Sequence, residues 1–359
     1  MRIGIVGLPN AGKSSLFNAL TRAGVEAASY PFTTIEPNVA VVPVVDERLE
    51  RVAALVGSSE VVFDTIAFHD IAGLVAGAHR GEGLGNRFLA NIRETDAILH
   101  VVRAHADPGV AHPTGRVDPL ADIETIETEL MLADLEQAQR RLDRVIRAAR
   151  GGERSAVAEL GWLEALVAAL SDGRPARSVP VPADAPDALR TLSPLTAKPV
   201  LFVANVDEGS DAVPDAIADH AAASGALAVA VSARLESELA ELDPGEAATM
   251  RAELGGGEAG LERVVHGAFA LLDLIAFFTA GEGKPAQSWH LRRGLSAWHA
   301  AGEVHSDIQR GFVRAEVVGW QELLDAGGYA GARDRGVLRI EGRDYVMRDG
   351  DVFTVRFTP

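Results

Sequence analysis

No cysteine occurs in the 359 residues. That absence removes disulfides, thiolate zinc sites, iron–sulfur clusters and cysteine nucleophiles together. No apolar run is long enough to cross a bilayer comfortably. The longest, residues 264–278, carries His266 and Asp273 and reads as a buried helix. Positive charge is in deficit, with 34 Lys+Arg against 51 Asp+Glu and a net charge of −17. Such a balance argues against a dedicated electrostatic grip on nucleic acid, and no sequence-specific DNA binding is expected. The opening MRIGIVGLPN has no charged leader ahead of a cleavable apolar stretch, so a cytosolic protein without a membrane partner is expected.

Lysine is also rare: Lys13, Lys198 and Lys284 are the only three among 34 basic residues. A lysine inside a phosphate-binding pattern is therefore less easily ascribed to chance. The charge is uneven along the chain. From residue 274 onward there are 11 Lys+Arg and 11 Asp+Glu, so the first 273 residues, with 23 against 40, carry the whole −17. What is present otherwise is ordinary for a globular protein. Apolar residues make up 47% and charged residues 24%, and the length suits about two to three domains.

Short apolar runs at residues 2–6, 39–45, 61–69, 97–102, 199–204 and 227–231 predict strands, and a helical pattern over 14–21 follows the first. Strands alternating with helices predict an α/β fold with a parallel-rich sheet and crossover helices. Residues 122–150 lack Gly and Pro and place Ile123, Ile126, Leu130, Leu135, Leu142 and Ile146 near helical period. Gly151-Gly152 breaks that pattern and a second amphipathic stretch runs over 155–170, which together predict an inserted helical hairpin. Beyond residue 278 the texture becomes β-rich, with strands expected at 286–291, 311–318, 337–340, 345–347 and 352–357.

Residues 7–14, GLPNAGKS, fit G-x-x-x-x-G-K-[ST] between a strand and a helix. Glycines let backbone N–H groups close around phosphate oxygens, and the helix N-terminus adds its positive dipole end. Lys13 would reach the β/γ-phosphates and Ser14 would ligate Mg²⁺, with Asn10, Ala11, Gly12 and Ser15 completing the phosphate lining. Asp70-Ile71-Ala72-Gly73 closes a later strand. There Asp70 would hold Mg²⁺ through water, and the Gly73 N–H would approach the γ-phosphate. A hydroxyl from Thr33 or Thr34, with position favouring Thr34, would complete the metal shell. The glycine-rich run at 77–85 would be a loop that orders around the γ-phosphate.

Asn205, Val206 and Glu208 end one strand and Ser232 ends the next, where a doubly wound sheet presents ligands. Guanine readers place N-K-x-D here, its Asp accepting from guanine N1–H and the exocyclic amine. In this chain Val206 replaces that Lys and Glu208 replaces that Asp, which leans away from guanine.

These motifs resemble those of the YchF-type branch of the Obg family of P-loop NTPases. PNAGKSSLFNALT, YPFTTIEPN, DIAGLVAGAHRGEGLGNRFL, FVANVDE and SARLESELAELD carry the likeness, as does the tail RGFVRAEV…LRIEGRDYVMRDGDVF. The resemblance implies an Obg-type nucleotide domain over 1–121 and 196–277, a helical insertion over 122–195 and a C-terminal β-grasp TGS domain over 278–359. It further implies a preference for ATP over GTP and association with the large ribosomal subunit; hydrolysis to ADP and phosphate is expected to be slow, because Leu74 contributes no polar group to orient water. Leu74 stands where many GTPases carry a water-orienting glutamine. His112 aligns with the histidine proposed for that task in the family, and His79 is its rival. Asn10 aligns with a residue linked to K⁺ in related GTPases. The alternatives are a GTPase of the same fold and a nucleotide-gated partner-binding module whose hydrolysis is incidental.

Overall fold

The computed structural model describes residues 1–27, 38–71, 84–107, 109–113, 115–151, 154–253 and 260–358. In chain order its strands begin with β1 (Arg2–Val6), β2 (Val39–Pro43), β3 (Val61–Val62), β4 (Thr65–Asp70), β5 (Ala97–Arg103) and β6 (Val200–Asn205). They continue with β7 (Leu227–Val231), β8 (Leu274–Thr279), β9 (Ala286–Arg292), β10 (Phe312–Gly319), β11 (Arg339–Glu341) and β12 (Asp351–Phe357). The chain divides into two compact units, Met1–Val42 with Ala67–Leu271, and Pro43–Ile66 with Leu272–Pro359.

The first unit is built on a sheet of order β2-β4-β1-β5-β6-β7. Pairing is parallel from β4 through β1, β5 and β6 to β7. Parallel strands covered on both faces carry continuous apolar runs. β5 shows this fully, since all seven of its residues are buried, His100 and Arg103 included. Six residues separate the end of β1 from helix α1 (Lys13–Ala27), so the loop between them lies at the carboxyl end of the sheet.

The helical hairpin forms as expected, but its long helix begins earlier and serves two cores. This helix (Pro119–Ala149) is capped by Asp118, whose carboxylate accepts from the Ala121 N–H, and Pro119 occupies its first turn. Its N-terminal half contributes Ile126, Leu130 and Ala133 to a cluster with Leu89 and Ile92 of the helix Leu84–Arg93 and Ile98 of β5. Its C-terminal half packs Ala138 and Val145 against Trp162, Leu163 and Leu166 of the helix Arg154–Ser171. Each fully buried Val, Leu or Ile side chain among them contributes about 1.5–3 kcal/mol. Asp134, 1% exposed, fastens this helix to the return into β6. Its carboxylate accepts from the N–H groups of Leu195 and Thr196 at 2.8 Å and from Thr196 Oγ1 at 2.7 Å.

The second unit holds a mixed sheet of order β11-β10-β12-β8-β9-β3. β12 and β8 run parallel, while β8 with β9 and β10 with β12 run antiparallel. Ile275, Phe277, Leu291, Val317 and Phe353 form its core. Residues 43–66, which the sequence reading puts in the nucleotide domain, cluster here instead. The reason is packing on both ends of that segment. β3 pairs with β9, and the helix Glu47–Val56 buries Leu49 and Val52 completely. From that helix Arg48 pairs with Asp349 and lies over the Phe278 ring, while Arg51 lies over Trp320.

Three further expectations are revised. The apolar run 264–278 is not one helix: a helix ends at Leu271, Asp273 adopts φ 49°, and β8 begins at Leu274. The run at 61–69 splits into β3 and β4. The strand expected at 345–347 reduces to a single bridge from Val346 to Ser296. Among the described residues no helix is long and apolar enough to cross a membrane.

Candidate nucleotide-binding site

The loop after β1 requires glycine at two positions. Gly7 adopts φ +154°, and a Cβ there would sit 2.4 Å from the Val101 carbonyl oxygen. Gly12 adopts φ +101°, and a Cβ would fall 2.2 Å from Asn205 Nδ2. Asn10 takes the left-handed region at φ 63°, which a short polar side chain tolerates. Its Nδ2 donates to the Ala111 carbonyl at 3.0 Å. Lys13 opens α1 and is 8% exposed, its Nζ donating to the Leu8 carbonyl at 2.8 Å.

Asp70 ends β4 and pairs in register with Ile5 of β1, which brings it beside the phosphate loop. Burial lowers the Lys13 pKa, and the charge of Asp70 opposes that shift. Burial likewise raises the Asp70 pKa against the pull of Lys13. Each group is thus partly desolvated and supported by the other, as expected of a site that receives a charged ligand.

A cavity of about 630 Å³ opens at this point. Asn10, Gly12, Lys13, Ser14 and Ser15 line one end. Asn205, Val206, Asp207 and Glu208 reach it from the end of β6, and Ser232, Ala233 and Arg234 from the end of β7. Ala11 lies just behind this lining, 3% exposed. The structure therefore brings the phosphate loop and the ends of β6 and β7 to one cavity. Asn205 is the staple between them. Its Nδ2 donates to the Ala11 carbonyl and its Oδ1 accepts from the Ala233 N–H, both at 3.0 Å. Ser232 caps the helix Ala233–Leu239, its Oγ accepting from the Leu235 N–H.

A third wall was not anticipated. His105, Asp107 and Val110 line the cavity from the segment after β5. Arg103, 2% exposed, braces that segment from below. Its guanidinium donates to the carbonyls of Asp107 at 2.8 Å, Val110 at 2.9 Å and His105 at 3.4 Å. The rule that named Asn205 and Ser232, ligands beyond the carboxyl ends of parallel strands, applies equally to β5.

His112 does not line this cavity. Its Nε2 lies 2.9 Å from Asp122 Oδ2, and the two side chains are 5% and 6% exposed. Burial raises the Asp122 pKa and the hydrogen bond to His112 opposes the rise. The main chain beside it is nonetheless close to the phosphate loop, since Ala111 accepts from Asn10. Gly73, Leu74, His79, Thr33 and Thr34 lie outside the described residues.

The donor set suits a hard divalent cation. A serine hydroxyl at the start of α1 and a carboxylate at the end of β4 are oxygen ligands of the kind Mg²⁺ takes, alongside water and phosphate oxygens. Among the described residues no group of three His, Asp or Glu could hold a metal without such a ligand.

Comparison with known proteins agrees with this geometry. Residues 2–140 match a family described as 50S ribosome-binding GTPase, and residues 274–358 match the YchF-GTPase_C family, described as of unknown function. The chain is 46% identical to the ribosome-binding ATPase YchF of Bacillus subtilis, covering 99% of this chain and 98% of that one. It is 47% identical to the same-named protein of Haemophilus influenzae, with 99% of each chain covered. The structure of the Schizosaccharomyces pombe YchF GTPase superposes with a TM-score of 0.87 at 32% identity, over 99% of this chain and 97% of that one. A Pyrococcus horikoshii GTP-binding protein, at 21% identity and a TM-score of 0.65, shares the fold. With a phosphate-loop motif, a cavity reached by the ends of β6 and β7, and this likeness over nearly its full length, the chain belongs to the YchF family of P-loop nucleotide hydrolases.

Proposed function

We propose that this chain binds ATP in the cavity beside Lys13, hydrolyses it to ADP and phosphate, and works as a ribosome-associated switch. The observation that carries the reading is the meeting of the phosphate loop and the ends of β6 and β7 on one cavity, stapled by Asn205. The names of the bacterial relatives supply ATP and the ribosome, and the description of the matching 50S ribosome-binding family supports the large subunit as docking partner.

Lys13 and the N–H groups of residues 10–15 would hold the β- and γ-phosphates and meet the charge that develops as water attacks in line. Ser14, Asp70 (through water) and Thr34 would hold Mg²⁺, which would supply positive charge to offset that of the phosphates. Gly73 would offer its N–H to the γ-phosphate. Val206, Glu208 and Ser232 would border the base. Leu74 has no group to orient water, so hydrolysis is slow and the task falls to His112, with His79 as the rival. From its pair with Asp122, His112 would have to turn toward the phosphates when nucleotide binds. K⁺ near Asn10 would add positive charge at the phosphates.

Calorimetric titration with ATP and GTP analogues in Mg²⁺, with K⁺ or Na⁺, tests the reading. Preference for the adenine analogue is the expected result. Preference for guanine would favour the GTPase reading that the description of the S. pombe relative carries. Binding of neither would leave a partner-binding module.

A further inference from the structure

We infer that Arg234 is a specificity-determining residue of the nucleotide site, disfavouring guanine by engaging the Glu208 carboxylate. This rests on the adenine preference proposed above. Guanine offers adjacent donors, N1–H and the 2-amino group, and a bare carboxylate facing them would accept both. Adenine has no donor at N1, so the same carboxylate would meet a lone pair. A carboxylate at the end of β6 is therefore a guanine-selecting group unless something occupies it.

Glu208 is placed to be such a group and is occupied. It lines the cavity, and its side chain is 43% exposed, so packing does not set its direction. Its ion-pair partner is Arg234, a second exposed side chain, whose Nε lies 3.3 Å from Glu208 Oε1. The arginine also lines the cavity. It stands in the first turn of the helix Ala233–Leu239, one residue beyond the Ala233 N–H that Asn205 holds, so its backbone is fixed to the site. Glu238, one turn on, accepts from the same Nε at 3.0 Å, and Asp107 across the cavity adds a favourable field. The guanidinium thus lies between the Glu208 and Glu238 carboxylates, and of those two only Glu208 lines the cavity. Engaged this way, Glu208 presents less negative charge to a guanine edge than it would alone.

The test is a double-mutant cycle in the full-length protein, reading the affinities of non-hydrolysable ATP and GTP analogues in Mg²⁺. Arg234→Ala should raise the guanine-to-adenine affinity ratio about three- to fivefold, the scale an exposed ion pair commands. Glu208→Gln should abolish that effect, so that the double variant has the ratio of Glu208→Gln alone. An unchanged ratio in Arg234→Ala, or equal loss of both nucleotides, overturns the inference and leaves Arg234 a general counter-charge. Persistence of the effect in the double variant also overturns it. A wild-type protein that prefers guanine overturns the adenine reading itself, which the unmutated titration shows separately.

Discussion

Lys13 and Asn205 illustrate two ways in which one residue can serve a phosphate site. Lys13 is a buried cation whose opposing charge among the described residues is Asp70, so it is available to an incoming triphosphate. Lys13→Ala should weaken ATP binding about a hundredfold or more, as truncation of a buried charge contact does, read by calorimetry. Asn205 is a clamp whose two amide ends are taken by Ala11 and Ala233. Its identity was legible from the strand-end motif, but its use was not, because only the folded chain brings residues 11, 205 and 233 together. His100 is a third case. It is 2% exposed beside Phe202, and burial, with smaller contributions from His220 and Lys13, holds its pKa down to about 3. The unfolded chain binds a proton near pH 6.5 that the folded chain refuses. Stability from this group is present above 6.5 and is lost as pH falls toward 3, by roughly 4 kcal/mol in all. Melting temperature should fall with pH below 6.5, and His100→Phe, which keeps an aromatic ring against Phe202, should flatten that slope.

At the scale of elements, the long helix Pro119–Ala149 is the joint between the nucleotide sheet and the hairpin. Its helical period and its partner at 155–170 were legible from the spacing of apolar residues. The join was not, because Asp134 looks in sequence like any exposed helical acid. Buried, it receives three hydrogen bonds from Leu195 and Thr196. Asp134→Ala should cost about 2–4 kcal/mol by leaving those donors unmet, measured by denaturant unfolding, while Asp134→Asn, which retains an acceptor, should cost less. The segment bearing His105, Asp107 and Val110 is held in the same manner by Arg103. A loop that takes its shape from a buried arginine has no local sequence signal, since its hydrogen bonds lie on carbonyls that every residue carries.

For the whole molecule, the division of the chain departs most from its sequence. The second unit needs Pro43–Ile66, which lies more than two hundred residues before its main segment at Leu272–Pro359. A fragment spanning 272–359 should therefore lack β3 and the helix carrying Leu49 and Val52, and leave Phe278 without Arg48 over its ring. It should fold only marginally alone, and supplying 43–66 by fusion should restore a cooperative melt by circular dichroism. Apolar periodicity at 61–69 predicts strand but cannot say which sheet receives it, because pairing partners distant in sequence are chosen by packing rather than local pattern.

The linear chain by itself determined the phosphate loop, its lysine, the α/β order and the helical hairpin, since each depends on residues adjacent or one helical turn apart. Tertiary structure alone decided that Asn205 staples the phosphate loop to the end of β7, that His112 faces Asp122, that residues 43–66 leave their neighbours, and that Arg234 meets Glu208. Those outcomes depend on which buried donors and carboxylates come within a few ångströms after folding, a matter of three-dimensional packing that spacing along the chain does not encode.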